Sequence, residues 1–144
     1  MKVRYCSAAL AYTPTGSMLL CTSKKGTAWL FPKGGLEPGL TPEENAAKEC
    51  LEETGHLCRD KGFSLGTYEI VKEGMINRIE VFALALVGFD ASGSGAEPGR
   101  KVDLVSAYDA MDMVGPYLAP FVVRLNDHLA ASKEHDSRKL KGNK

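Results

Sequence analysis

The chain has 144 residues, which suits one domain with a proper core. Its 18 basic and 18 acidic side chains cancel, so no whole-molecule field draws it to nucleic acid or to a membrane. No run of ~18 apolar residues occurs, which argues against a membrane-spanning helix.

Residues 3–12 alternate as a first strand and end at Thr13-Pro14-Thr15-Gly16, a turn-rich tetrad. The same opening residues lack a signal-peptide core and cleavage site, so the expected home is the cytoplasm. Residues 17–22 return as a second strand, making a hairpin. The basic turn Ser23-Lys24-Lys25-Gly26 precedes an extended piece at 27–31. Lys24 and Lys25 read either as a solvated turn or as contacts for distal phosphates. Trp29 reads as a core anchor or as a base-stacking platform.

The most informative stretch is 31–56, FPKGGLEPGLTPEENAAKECLEETGH. A Gly/Pro-rich loop leads into a helix with a complete start signal: Thr41 at the N-cap, Pro42 at the first helical position, Glu44 closing a capping box. Gly55 is the stop signal. At ~100° per residue, Ala46, Ala47, Cys50, Leu51 and Thr54 are assigned to the buried face, and Glu49, Glu52 and Glu53 to the opposite side. Such a carboxylate trio repels itself; Lys48, four residues from both Glu44 and Glu52, offsets part of that. Hard oxygen ligands on a rigid helix are what Mg²⁺ or Mn²⁺ requires, although a solvated acidic face has the same pattern. The glycines of Pro32-Lys33-Gly34-Gly35 would let backbone approach a ligand closely.

Beyond the helix, 63–71 and 76–87 read as strands joined at Lys72-Glu73-Gly74-Met75. The second is apolar on both faces past Glu80, as in a central strand covered on both sides. Arg78 and Glu80 either pair at the sheet edge or point into a substrate cleft. Residues 88–101, GFDASGSGAEPGRK, read as a mobile loop and lack the spacing of a P-loop. A short strand at 102–105, a small helix capped by Ser106 or Asp109, and a helix at 117–131 follow. Residues 132–144 are polar and basic and are expected to be a disordered tail, leaving 1–131 as the single domain. Cys6, Cys21, Cys50 and Cys58 show no zinc or disulfide spacing and read as small core hydrophobes.

The run from Gly34 to His56 resembles the Nudix box, G-x5-E-x7-R-E-U-x-E-E-x-G-U. Glu49, Glu52 and Glu53 match its three metal-binding glutamates, and Gly34 and Gly55 its glycines. Three positions depart: Leu40 replaces the first glutamate, Lys48 the arginine, and His56 the final apolar residue. Lysine keeps the charge but loses the planar fork; Glu37 or Glu43 could supply the missing carboxylate. The resemblance implies an α/β Nudix fold, a mixed β-sheet sandwiched between α-helices. It also implies Mg²⁺- or Mn²⁺-dependent hydrolysis of a phosphoanhydride in a nucleoside diphosphate linked to another moiety. A backbone carbonyl near Lys33 or Gly34 would complete the metal site, with the Lys33 ammonium near phosphate. Glu97 would act as a further metal ligand or base, one of several candidates with Glu52 and Glu53. Arg78, Lys24 and Arg100 are candidate substrate contacts. The PKGG loop resembles the branch acting on dinucleoside and diphosphoinositol polyphosphates. A nucleoside triphosphate pyrophosphatase and an RNA 5′-pyrophosphohydrolase stand as alternatives, and a non-catalytic nucleotide-sensing module is the rival from another class. The oligomeric state is left open.

Overall fold

The computed structural model describes residues 1–90 and 95–142, with side chains through residue 139. Its frame is the pair of long strands β1 (Lys2–Tyr12) and β7 (Met75–Phe89), which run parallel from Lys2↔Met75 to Tyr12↔Ala85. Among the described residues, the other strand pairings are antiparallel, apart from an isolated parallel bridge between Trp29 and Val114. β2 (Met18–Thr22) pairs with β1, β3 (Trp29–Leu30) with β2, and β4 (Lys33–Gly35) with β1. On the far side, β5 (His56–Cys58) and β6 (Phe63–Lys72) both pair with β7, and β8 (Val102–Val105) closes on β2. The mixed sheet is therefore as expected.

Local chemistry explains the joints. Glu73 and Gly74 both adopt positive φ (54° and 73°) between the paired residues Lys72 and Met75. A two-residue turn of this hand matches the twist of the strands it connects.

Helix α1 (Pro42–Thr54) has the predicted boundaries, with the Thr41–Glu44 capping box formed and Gly55 left-handed at φ 73°. It packs Ala46 and Cys50 on Ala9, Ala11, Leu19, Phe82 and Leu84. The opposite sheet face carries α2 (Ala107–Met113) and α3 (Ala119–Gly142) over Leu10, Leu20, Ile79 and Val81. Alternating side chains of β1 and β7 thus feed two cores, one per face. Trp29 is half-buried against the second core and serves as an anchor.

Two features differ from the sequence reading. The last helix runs on to Gly142, through residues read as a disordered tail; its described side chains from 131 to 139 are all exposed. Good helix formers there continue the helix without tertiary cover. In the 88–101 stretch, β7 extends to Phe89, and residues 91–94 of the expected mobile loop lie outside the described residues.

Candidate active site

Strand β4 is laid against β1 through Ala8↔Lys33, Ser7↔Gly34 and Cys6↔Gly35. Successive residues of a strand face opposite ways. Gly34 accordingly faces α1, and a Cβ there would overlap the Glu49 carboxylate. Gly35 faces away, where a Cβ would come within 2.6 Å of the Arg4 guanidinium. One glycine makes room for an acid, its neighbour for a base. The buried Asn45 ties this strand to the helix. Its Nδ2 donates to Ser7 Oγ at 3.0 Å and to the Gly34 carbonyl at 3.4 Å, and its Oδ1 accepts the Glu37 N–H at 3.3 Å.

Glu53 does not face outward as expected. It lies seven residues after Ala46 and three after Cys50, so at ~100° per residue it shares their face. Its side chain is 7% exposed, with Oε2 accepting the Lys33 N–H at 2.7 Å and Oε1 2.8 Å from Nη2 of Arg100, itself 11% exposed. Burial pushes the Glu53 carboxyl up to about 7, although Arg100 and the Lys33 N–H both act the other way. The Glu49 carboxyl is also raised, first by burial and then by the charge of Glu52. Glu52 is 51% exposed and sits 2.8 Å from Lys48.

Lys48 resolves the missing glutamate. Its ammonium lies 2.8 Å from Glu37 as well as from Glu52, and 3.9 Å from Glu49. Hydrogen bonds to Glu37 and Glu52 hold it above the usual lysine range. Glu43 instead accepts the Gly62 N–H at 2.7 Å, and Glu44 is committed to the Thr41 N–H at 2.9 Å.

The remaining candidates divide. Glu97 stands 3.4 Å from Arg100 and 3.5 Å from Lys24, and its N–H donates to the Glu53 carbonyl at 3.2 Å. Among the described residues, the ion pair that links Lys24 to the site is the one with Glu97. Arg100 also donates to the Thr22 carbonyl at 2.8 Å, so Glu53, Thr22 and the 97–100 turn form one unit. Arg78 lies outside: it pairs with Glu69 across β6 at 2.6 Å and caps the Tyr5 ring at 5.8 Å. It does not pair with Glu80 either, which accepts Ser64 Oγ at 2.7 Å. Cross-strand neighbours on the exposed sheet face satisfied both charges, and sequence spacing could not show them.

Two cavities meet at Arg4 and Gly34. One, of ≈ 190 Å³, places Arg4, Lys33, Lys72 and Arg100 around Glu53; the other, of ≈ 700 Å³, is bounded by Glu49, Glu37, Tyr5 and Leu36. Arg4 and Lys72 were not legible as site residues. Among the described residues, no three His, Cys, Asp or Glu side chains converge as a ready ion cage. Glu49 and Glu53 are hard oxygen donors of the kind a divalent cation takes. Both side chains are largely shielded from water; Glu53 already has Arg100 as its compensating charge, whereas the cation nearest Glu49 is Lys48 at 3.9 Å.

The NUDIX domain family model matches residues 3–110, and the chain belongs to that family. Over 40 residues it is 52% identical to "Nudix hydrolase 17, mitochondrial" of Arabidopsis thaliana; the match spans 28% of this chain and only 22% of that protein. Among solved structures, a NUDIX hydrolase from Nitrosomonas europaea superposes with TM-score 0.66 at 23% identity, covering 90% of each chain. A C. elegans Ap4A hydrolase gives TM-score 0.66 at 14% identity over 89% of this chain and 98% of that one. The MutT protein of Methanosarcina mazei Go1 gives 0.65 at 20% identity over 88% and 95%. At these identities the likeness is one of fold.

Proposed function

We propose that the protein is a Nudix-type pyrophosphohydrolase that cleaves a phosphoanhydride in a nucleoside diphosphate linked to another moiety, with a dinucleoside polyphosphate or similar polyphosphate as first choice. The observation that carries this reading is the placement of two shielded carboxylates, Glu49 against Gly34 and Glu53 on the Lys33 N–H, at the junction of cavities edged by Arg4, Lys33 and Lys72. Acids that close to cations suit a polyanion that arrives with a divalent metal. The Ap4A hydrolase among the similar folds is consistent with a substrate of this class.

Glu49 and Glu53 would hold Mg²⁺ or Mn²⁺, with Glu52 close by on the same helix. When bound, such an ion neutralises charge on a pyrophosphate and acidifies a water. The chain's own groups do the rest. Lys33 and Arg4 orient phosphate oxygens from the other wall of the cavity, and Arg100 holds the Glu53 carboxylate in place. Glu97, beside Arg100, is the acid outside the helix that can take the proton of the attacking water. The free thiols of Cys6, Cys21, Cys50 and Cys58 are in keeping with a reducing, cytoplasmic setting.

Phosphate release over a panel of dinucleoside polyphosphates, nucleoside triphosphates, nucleotide sugars and 5′-triphosphorylated RNA, with and without Mg²⁺, tests the proposal. Metal-dependent turnover of a bridged polyphosphate is the expected outcome. Tight nucleotide binding with no turnover under any metal would instead make the chain a sensor.

A further inference from the structure

We propose that Cys50 and Cys58 form a redox modification site: a hydroperoxide joins them in a disulfide across the end of α1, and the bond lowers turnover. The disulfide stands apart from the reading above, whereas its effect on rate rests on the pyrophosphohydrolase reading.

The fold brings the two thiols into contact. Cys50 is fully enclosed on the buried face of α1, next to Glu49 and three residues before Glu53. After Gly55 the chain enters β5, whose register on β7 slips between Leu57 and Cys58. Past that slip Cys58 packs on the same core as Cys50, and the two Sγ atoms lie 3.5 Å apart. A disulfide is about 2 Å long, so the bond needs an approach of about 1.5 Å. Cys6 faces Asn77 Oδ1 instead, at 3.8 Å, and Cys21 is buried in the core. Cys50 is enclosed and Cys58 half-buried, so an oxidant in solvent meets Cys58 first.

A hydroperoxide is the two-electron oxidant. The Cys58 sulfur, its proton released to water, attacks a peroxide oxygen; the O–O bond breaks and Cys58 becomes a sulfenic acid. The Cys50 sulfur then attacks the Cys58 sulfur. The S–S bond forms, the S–O bond breaks, and the hydroxyl leaves with the Cys50 proton as water. With hydrogen peroxide the two thiols are oxidised to one disulfide and the peroxide is reduced to two waters. A thiol reductant reverses the change by exchange.

The ring so closed contains Glu52 and Glu53. That segment is also held from outside, because the Glu53 carbonyl accepts the Glu97 N–H at 3.2 Å and the Gly55 carbonyl the Asp90 N–H at 3.0 Å. Movement at Cys50 therefore passes to Glu49 and Glu53. A misplacement of about 1 Å in positioned groups can cost up to about 10²-fold in rate.

The full chain, reduced and then freed of reductant, is treated with hydrogen peroxide. Both cysteines fall in one tryptic peptide, residues 49–59, bounded by Lys48 and Arg59. In the parent that peptide should lose two hydrogens and resist iodoacetamide after denaturation. Its kcat/KM in Mg²⁺ should fall about tenfold and return with dithiothreitol. Cys58→Ser should match the reduced parent in kcat/KM and keep its activity under peroxide. A parent peptide with both thiols free, or with added oxygen in place of the link, overturns the site, and this measurement needs no variant. Equal loss of rate in parent and Cys58→Ser, or a linked peptide with undiminished kcat/KM, overturns the effect on turnover. If the reduced parent turns over no substrate, the hydrolase reading fails, and the peptide mass still judges the disulfide.

Discussion

Replacing Gly34 by alanine perturbs the site without altering any ionisable group. The added Cβ would overlap the Glu49 carboxylate, the far end of a flexible side chain, so that carboxylate must swing aside. An off-rotamer Glu49 costs about 1 kcal/mol. Gly34 is not among the glycines with positive φ, so alanine fits its backbone and recovers about 0.4–1 kcal/mol by restricting the unfolded chain. The two terms nearly cancel, and the melting temperature should move by no more than about 2 °C. Activity is different, because a displacement of about 1 Å in a positioned group can cost about 10²-fold.

Gly62 gives the contrast. A Cβ there would run into the Ala83 carbonyl, which is backbone and cannot rotate away. Gly62→Ala should therefore cost about 1–3 kcal/mol and several degrees of melting temperature. Its kcat/KM below the melt should stay within about twofold, since the site is intact. Urea titration and phosphate-release kinetics on both variants separate the effects. In a Glu49→Ala background, Gly34→Ala should have no further effect on rate. A Gly34→Ala protein as destabilised as Gly62→Ala, or as active as the parent, would refute the reasoning.

Glu53→Gln should lower kcat by about 10³-fold, with near-ultraviolet circular dichroism unchanged; parental activity would remove Glu53 from the chemistry. Glu37→Gln frees one side of Lys48, an exposed contact worth under about 1 kcal/mol in a melt. Its larger effect should be on metal affinity, read by Mn²⁺ titration in electron paramagnetic resonance, because Lys48 also contacts Glu52 and Glu49. Identical titrations would show that the bridge is ornamental. In the folded protein at pH 8, iodoacetamide should label Cys58 first. The Cys50 thiol, 3.5 Å away, helps hold the Cys58 thiol below its usual range, whereas burial pushes Cys21 up to about 12. Peptide mass spectrometry showing Cys21 labelled ahead of Cys58 would contradict that ordering.

What the sequence disclosed follows from which interactions are local. The α1 caps, the 72–75 turn and the two-sided apolar run of β7 are encoded within a few residues, and each stands where expected. Strands β4 and β5 were missed because KGG and HLC have little intrinsic strand character. Pairing with β1 and β7 imposes it. The inward turn of Glu53 was open to a stricter reading of the helical period, but its partner Arg100 is 47 residues further on, so only the fold could reveal the pair. Arg4 and Lys72 gave no pattern at all. Each is an exposed strand end, and their convergence is a property of the sheet. Arg78, by contrast, looked promising until the register placed Glu69 opposite it.

The bridge between Glu37 and Lys48 bears on how such chains are recognised. A search template that demands a glutamate at position 40 would score this protein as defective. Yet the backbone doubles back far enough for a carboxylate from three residues upstream to reach the same ammonium. What the helix requires is a negative group arriving at one point in space, and several loop sequences can deliver it, so a motif mismatch there is poor grounds for declaring a relative inactive.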